Sequence, residues 1–236
     1  MRFSLSIIFP VFNEAKRLQK TFEAVSSFRT PEIFSNVEII FVNDGSRDGS
    51  ASLIKEFKCG WPVKLISYEK NRGKGFAIRT GMLAASGDWR LMLDADMSTP
   101  LDELEKFARF VEAGCPVIIG SRKTEDAKVI KAQPRHRELL GIGYYLLAKL
   151  VTGVSISDFT CGFKMFSKDA ALAIFSKSKI DRWSYDSEIM YLAKKIGFKI
   201  CEVGVSWEND ADTKVSLKKD MLQSLIDLIK IRFTRY

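Results

Sequence analysis

From Ser4 to Gly120, short apolar runs rich in β-branched residues alternate with segments of helical spacing, and each run closes on a polar cluster. Ser4–Phe9 ends at Pro10, and Glu14–Phe28 then places Leu18, Phe22 and Val25 on one helical face. Val37–Val42 repeats the pattern, followed by the turn Asn43-Asp44-Gly45-Ser46 and a helix from about Asp48 to Phe57. Val63–Ser67 reads as a third strand, and Asn71-Arg-Gly-Lys-Gly75 opens a helix to about Ala85. A fourth strand starts at Trp89; a helix over Leu101–Ala113 and a strand at Val117–Gly120 follow. This alternation predicts an α/β fold: a mainly parallel, Rossmann-like sheet with helices on both faces, binding ligands at the carboxyl ends of its strands.

Beyond Ser121 the chain changes character. Periodicity fails across 122–137, which reads as a basic linker into an apolar helix at roughly Leu139–Val151. Asp158–Phe166 reads as a loop entering a strand, Tyr185–Ile196 as a helix and Lys199–Trp207 as a strand. Val215–Phe233 places Leu217, Met221, Leu225 and Leu228 on one face of a basic amphipathic helix.

With 236 residues, 46% of them hydrophobic, the chain can bury one large core. Its four cysteines, 59, 115, 161 and 201, form no C-x-x-C pair, so no zinc cage or disulfide framework is signalled and a reducing compartment is expected. The single histidine, His136, cannot build a histidine metal site alone. The net charge of +8 is confined to two segments, 122–137 and 214–236, each with six basic and two acidic residues. Such patches suit phosphates, anionic membranes or nucleic acid, and no nucleic-acid-binding pattern accompanies them. No apolar run reaches membrane-spanning length, and the opening residues read as a first strand rather than a secretory signal.

The chemistry concentrates in Asp94-Ala95-Asp96. On an alternating backbone both carboxylates point to the same side and repel, unless a cation lies between them. Hard oxygen ligands with room for water and phosphate suit Mg²⁺ or Mn²⁺; the alternative is an acidic loop capping the next helix. Phe12 can offer a face to a base, and Glu14 can accept from a ribose hydroxyl or, like Asn13, cap the helix. Asp44 can accept the imide N–H of uracil, or the N1–H and amino group of guanine, or serve only its Asp-Gly turn. Gly73-Lys74-Gly75 can bring backbone N–H groups and Lys74 to a phosphate at a helix start.

Together Pro10-Val-Phe-Asn-Glu14, Val42-Asn-Asp-Gly-Ser46, Asn71–Gly75, Asp94–Asp96 and Gly120-Ser-Arg122 resemble, in order and spacing, the inverting nucleotide-sugar glycosyltransferases of family 2. The polyprenyl (dolichyl) phosphate sugar transferases are the most similar group. The resemblance continues through Arg137, Asp158, Cys161–Lys164, Trp183–Glu188 and Glu202-Val203.

It implies a GT-A type fold, with a catalytic domain over 1–213 (nucleotide half 1–121, acceptor half 122–213) and a terminal helix over 214–236. Pro10, Phe12, Glu14, Val42 and Asp44 would hold the nucleoside, with Lys74 at the phosphates. Asp94, Ala95 and Asp96 would take metal and diphosphate, with Ser98 at the metal. Arg122 and Arg137 would grip donor and acceptor phosphates, and Lys214 matches a lysine of the C-terminal motif.

Glu208 stands where mannosyl members carry an arginine, and Cys-Gly-Phe-Lys and Trp-x-Tyr-Asp-x-Glu resemble the glucosyl branch. UDP-glucose is therefore expected as donor, with GDP-mannose the alternative, polyprenyl phosphate as acceptor, and a peripheral place at the cytoplasmic face of a membrane. A sugar-hydroxyl acceptor would instead need a base from Asp158, Asp186 or Glu188. The other classes are an Asp-x-Asp phosphatase, disfavoured because the pair follows the fourth strand rather than the first, and a non-catalytic nucleotide-sugar-binding adaptor.

Overall fold

The computed structural model describes residues 2–210 and 217–236, excepting the side chains of 217–220. The first strands are β1 (Phe3–Val11), β2 (Phe34–Asp44), β3 (Val63–Tyr68), β4 (Trp89–Met92) and β5 (Val117–Ser121). They join β7 (Lys164–Ser167) and β8 (Ile200–Gly204) in one sheet of order β3-β2-β1-β4-β7-β5-β8. Every pairing is parallel except those of β7, which runs antiparallel to β4 and β5.

Successive residues of β1 point to opposite faces, so Ile7 and Phe9 enter one core and Ile8 the other. Burial on both sides is why these strands read as unbroken apolar runs. Helices α1 (Leu18–Ser27), α2 (Ser50–Glu56), α3 (Lys74–Ala84) and α4 (Leu104–Glu112) connect the first five strands. The chain builds outward from β1 to β3, then returns to place β4 on the other side of β1. A crevice opens at that reversal, beyond the carboxyl ends of β1 and β4.

The second half departs from the sequence expectations in four places. Within the supposed linker, β6 (Lys128–Lys131) pairs with β9 (Ser206–Glu208) in a separate two-stranded sheet. The strand expected over 199–207 is therefore two, changing sheets at Val205. Helix α5 (Arg135–Thr152) starts earlier than expected. Helix α6 (Lys168–Phe175) lies in a stretch assigned no element, and the Ser167 hydroxyl accepts from Ala170 N–H at its start.

α7 (Tyr185–Ile196) and α8 (Leu217–Phe233) complete the chain. Cys115 and Cys201 form a disulfide between the approach to β5 and β8. Adjacent parallel strands bring together cysteines 86 residues apart, which no spacing rule detects, so the cysteine argument for a reducing compartment fails.

Candidate active site

The crevice is a cleft of about 590 Å³. On its β1 side Pro10, Phe12 and Glu14 line the wall. Asn13 adopts a left-handed φ of 53° between Asn13 N–H donating to Ser46 Oγ at 2.9 Å and Arg47 N–H donating to Asn13 Oδ1 at 2.8 Å. Neither it nor Glu14 caps α1, which starts at Leu18 without a side-chain cap. Glu14 instead meets Arg17 at 2.6 Å, and Arg17 reaches Asp210 at 2.9 Å.

Asp44 reaches the cleft from β2, buried, accepting from Asn71 Nδ2 at 2.8 Å, Arg72 N–H at 2.7 Å and Gly73 N–H at 2.9 Å. Its carboxylate thus fixes the approach to α3, a duty beyond base recognition. Val42 does not line the cleft with its side chain, which is fully buried in the core against α3, so the expected nucleoside contact through that side chain is corrected.

β4 ends at Met92, so the acids occupy a turn rather than an alternating strand. Met97 N–H donates to the Asp94 carbonyl at 3.2 Å, and Met97 takes a φ of 55°. Ser98 N–H donates to Asp96 Oδ1 at 2.9 Å, and Thr21 of α1 donates to the Ala95 carbonyl at 2.5 Å. The turn, not strand pleat, brings both carboxylates to the cleft. Burial and the Asp94 charge together hold the Asp96 carboxyl above the ordinary carboxylate range. Lys74, first residue of α3, places its ammonium against the Asp94 carboxylate.

The donor set suits a hard divalent cation. Two carboxylates that repel face an open cleft, with Ser98 beside them, and the ammonium of Lys74 supplies the positive charge they require. Gly162 leaves the space Asp94 occupies: a Cβ there would lie 2.4 Å from Asp94 Oδ2. Among the described residues no cluster of three or more His, Cys, Asp or Glu side chains forms a closed metal cage. A bound ion would keep positions for phosphate oxygens and water.

Across the cleft, Arg122 makes a fork-to-fork pair with Asp158, Nε to Oδ2 at 2.7 Å and Nη2 to Oδ1 at 2.8 Å, and reaches Thr160 at 2.7 Å. That use leaves the Nη1 donors for a ligand. Burial pushes the Asp158 carboxyl up, but the Arg122 charge and hydrogen bonds outweigh it and hold it at about 2. Arg137, in the first turn of α5, also lines the cleft, and its buried Nε lacks a partner among the described residues.

Of the three candidate bases, Asp158 belongs to Arg122. Glu188 lies away from the cleft, accepting Lys179 and Ile180 N–H at 2.8 and 2.9 Å. Only Asp186 lines it, and its carboxylate is paired with buried Lys164. Sequence reasoning missed Tyr144, Arg182 and Trp207 as lining residues; aromatic and arginine positions beside the motifs were the available signal. His136 is exposed, and Lys214 lies outside the described residues.

Residues 6–175 match the family model described as Glycosyl transferase family 2. The chain belongs to that family. The transferase is 34% identical over 96% of its length to a dolichyl-phosphate beta-glucosyltransferase (ALG5A) of Trichomonas vaginalis, covering 72% of that protein. It is 32% identical over 97% of its length to the dolichyl-phosphate beta-glucosyltransferase of Homo sapiens, covering 74% of it. Among solved structures it resembles glucosyl-3-phosphoglycerate synthase from Mycobacterium tuberculosis in complex with Mn²⁺, UDP and glucosyl-3-phosphoglycerate. The TM-score there is 0.70, with 16% identity and 98% and 80% of the two chains covered. A mannosyltransferase from Pyrobaculum calidifontis with GDP-Man and Mn²⁺ aligns at TM-score 0.63 and 18% identity over 91% of the transferase and 59% of that chain. These likenesses place the transferase in the GT-A fold.

Proposed function

We propose that this glycosyltransferase moves glucose from UDP-glucose to a polyprenyl phosphate such as dolichyl phosphate, with inversion, giving a β-linked lipid-phosphate sugar. The observation that carries the acceptor class is the opposition of an acid pair and two arginines across one cleft, where Asp186, the one of the three candidate bases that lines it, is paired with Lys164. An ionised phosphate monoester needs alignment rather than deprotonation, and a sugar hydroxyl needs both. The donor and lipid rest on relatives named dolichyl-phosphate beta-glucosyltransferase at 30–34% identity over nearly the whole chain.

In the proposed reaction Pro10, Phe12, Glu14 and Asp44 seat the nucleoside, with Asp44 positioned to accept a base N–H. Asp94 and Asp96, with Ser98, would hold a divalent cation, Mg²⁺ or Mn²⁺. Bound there, it would offset charge developing on the departing diphosphate. Nη1 of Arg122, which has no partner among the described residues, and the guanidinium of Arg137 orient a lipid-phosphate oxygen behind the anomeric carbon, so the new bond forms opposite the departing one. Attachment to the membrane is proposed to be peripheral, because the two helices α5 and α8 expose apolar side chains beside basic ones.

The test is incubation with polyprenyl phosphate and radiolabelled UDP- and GDP-hexoses, with and without chelator. Transfer from UDP-glucose, abolished by chelator and reduced at least about a thousandfold in Asp96→Ala, is expected. Transfer from GDP-mannose alone would overturn the donor, and chelator-resistant transfer the metal.

A further inference from the structure

We infer that Lys74 is a resident counter-ion of the Asp94–Asp96 turn, exchanged for the divalent cation, and that its ammonium then turns onto the donor diphosphate. The inference rests on the proposed metal site but concerns the order in which that site fills. In the nucleotide-free protein the ammonium already contacts Asp94, the carboxylate a cation needs. The two side chains keep 21% and 33% of their exposure, so the pair is shielded yet open to the cleft. A divalent ion entering alone must break this pair; one arriving with a diphosphate brings a second home for the ammonium.

The geometry lets the side chain turn while its backbone stays fixed. Gly73 and Gly75 flank it, and a Cβ at either would lie 2.4 or 2.5 Å from the carbonyl oxygens of Asp181 or Ile180. Phe76 N–H donates to that Asp181 carbonyl at 3.0 Å, pinning the start of α3. The four-carbon stem of a lysine has the rotatable bonds that such a turn needs. The Trp183 and Tyr185 rings lie 5.9 and 6.0 Å from Nζ where it sits on Asp94, and the Asp186 charge also acts on it, so aromatic faces and a second carboxylate border the path of the turn.

The exchange predicts opposite signs for one substitution. Lys74→Met removes the competitor, so Mn²⁺ titrated into nucleotide-free protein and followed by electron paramagnetic resonance should bind about threefold to fivefold more tightly than to wild type. With Mn²⁺ saturating, UDP should bind the same variant about tenfold more weakly, because the diphosphate has lost its ammonium. Lys74→Arg retains the charge and should bind Mn²⁺ no more tightly than wild type.

Unchanged or weaker nucleotide-free Mn²⁺ binding in Lys74→Met would overturn the exchange. Failure of wild type to bind Mn²⁺ even with saturating UDP would overturn the metal site itself, a separable result. Should Lys74→Met not fold, acetylation of Lys74 in wild type, read by peptide mass spectrometry, decides the matter. Saturating Mg²⁺ without nucleotide should raise its reactivity several-fold, and constant reactivity would overturn the exchange.

Discussion

Asp158 and Gly162 set the two sides of the cleft. The Asp158 carboxyl is held at about 2, below its ordinary value near 3.8, so its contribution is complete above pH 4 and is lost as pH falls toward 2. For a side chain 4% exposed the shift corresponds to about 2 kcal/mol. Urea midpoints at pH 5.5 and 2.5 should therefore differ by less in Asp158→Asn than in wild type. The variant should also raise the acceptor KM, because Arg122 loses its fork. Gly162→Ala pushes a methyl to 2.4 Å from Asp94 Oδ2; calorimetry should find Mn²⁺ affinity in the presence of UDP reduced about tenfold or more while the melting temperature changes little. Arg122 and Asp94 were legible in the sequence because their chemistry is local to a motif. The companions that aim them, Asp158 and Gly162, were quoted within the resemblance without that duty, because the contacts join distant parts of the chain.

At the scale of elements, the connection between α6 and α7 carries Arg182 and Trp183 to the cleft. It is clamped from two sides. Arg79 of α3 donates to Ser178 O at 3.1 Å and to Asp181 at 2.5 Å, while Glu188 of α7 accepts two backbone N–H groups and the Tyr236 hydroxyl. Glu188→Gln leaves one of those donors facing an amide, at a cost of about 2 kcal/mol. A lower melting temperature together with a raised KM for the nucleotide sugar is expected; a lower melting temperature with unchanged KM would confine Glu188 to stability. The β/α alternation through β5 was readable because each strand buries both faces and each helix buries one. β6 was not, since Lys128–Lys131 is exposed throughout and pairs only with distant β9. α6 carried a readable cap at Ser167 that the strand pattern before it obscured.

For the whole molecule, the arrangement of α5 and α8 bears on how the proposed lipid acceptor is reached. The two helices pack together at the cleft, which Leu140 and Tyr144 of α5 and Met221 and Ser224 of α8 line. α8 buries Leu228 and Ile231, so it docks on the core, yet Leu222, Ile226, Ile229 and Phe233 form a second, exposed apolar stripe beyond the single face read from sequence. α5 exposes Leu139, Ile142, Leu146, Leu147 and Leu150 as well. Arg135, Lys149, Lys230 and Arg232 lie on the same two helices, joining apolar anchors to positive charge as an anionic membrane surface demands. Leu146, Leu150 and Ile229 are 58%, 80% and 59% exposed, so changing all three to Glu should leave the fold intact. Each forfeits roughly 1.5–3 kcal/mol of insertion, so sedimentation with phosphatidylserine vesicles should fall more than a hundredfold. Transfer to a short, water-soluble isoprenyl phosphate should persist, because the arginines and acids of the cleft are untouched. Vesicle binding that survives the triple change would place the membrane contact elsewhere, and loss of transfer to the short acceptor would mean that these helices shape the cleft rather than anchor it.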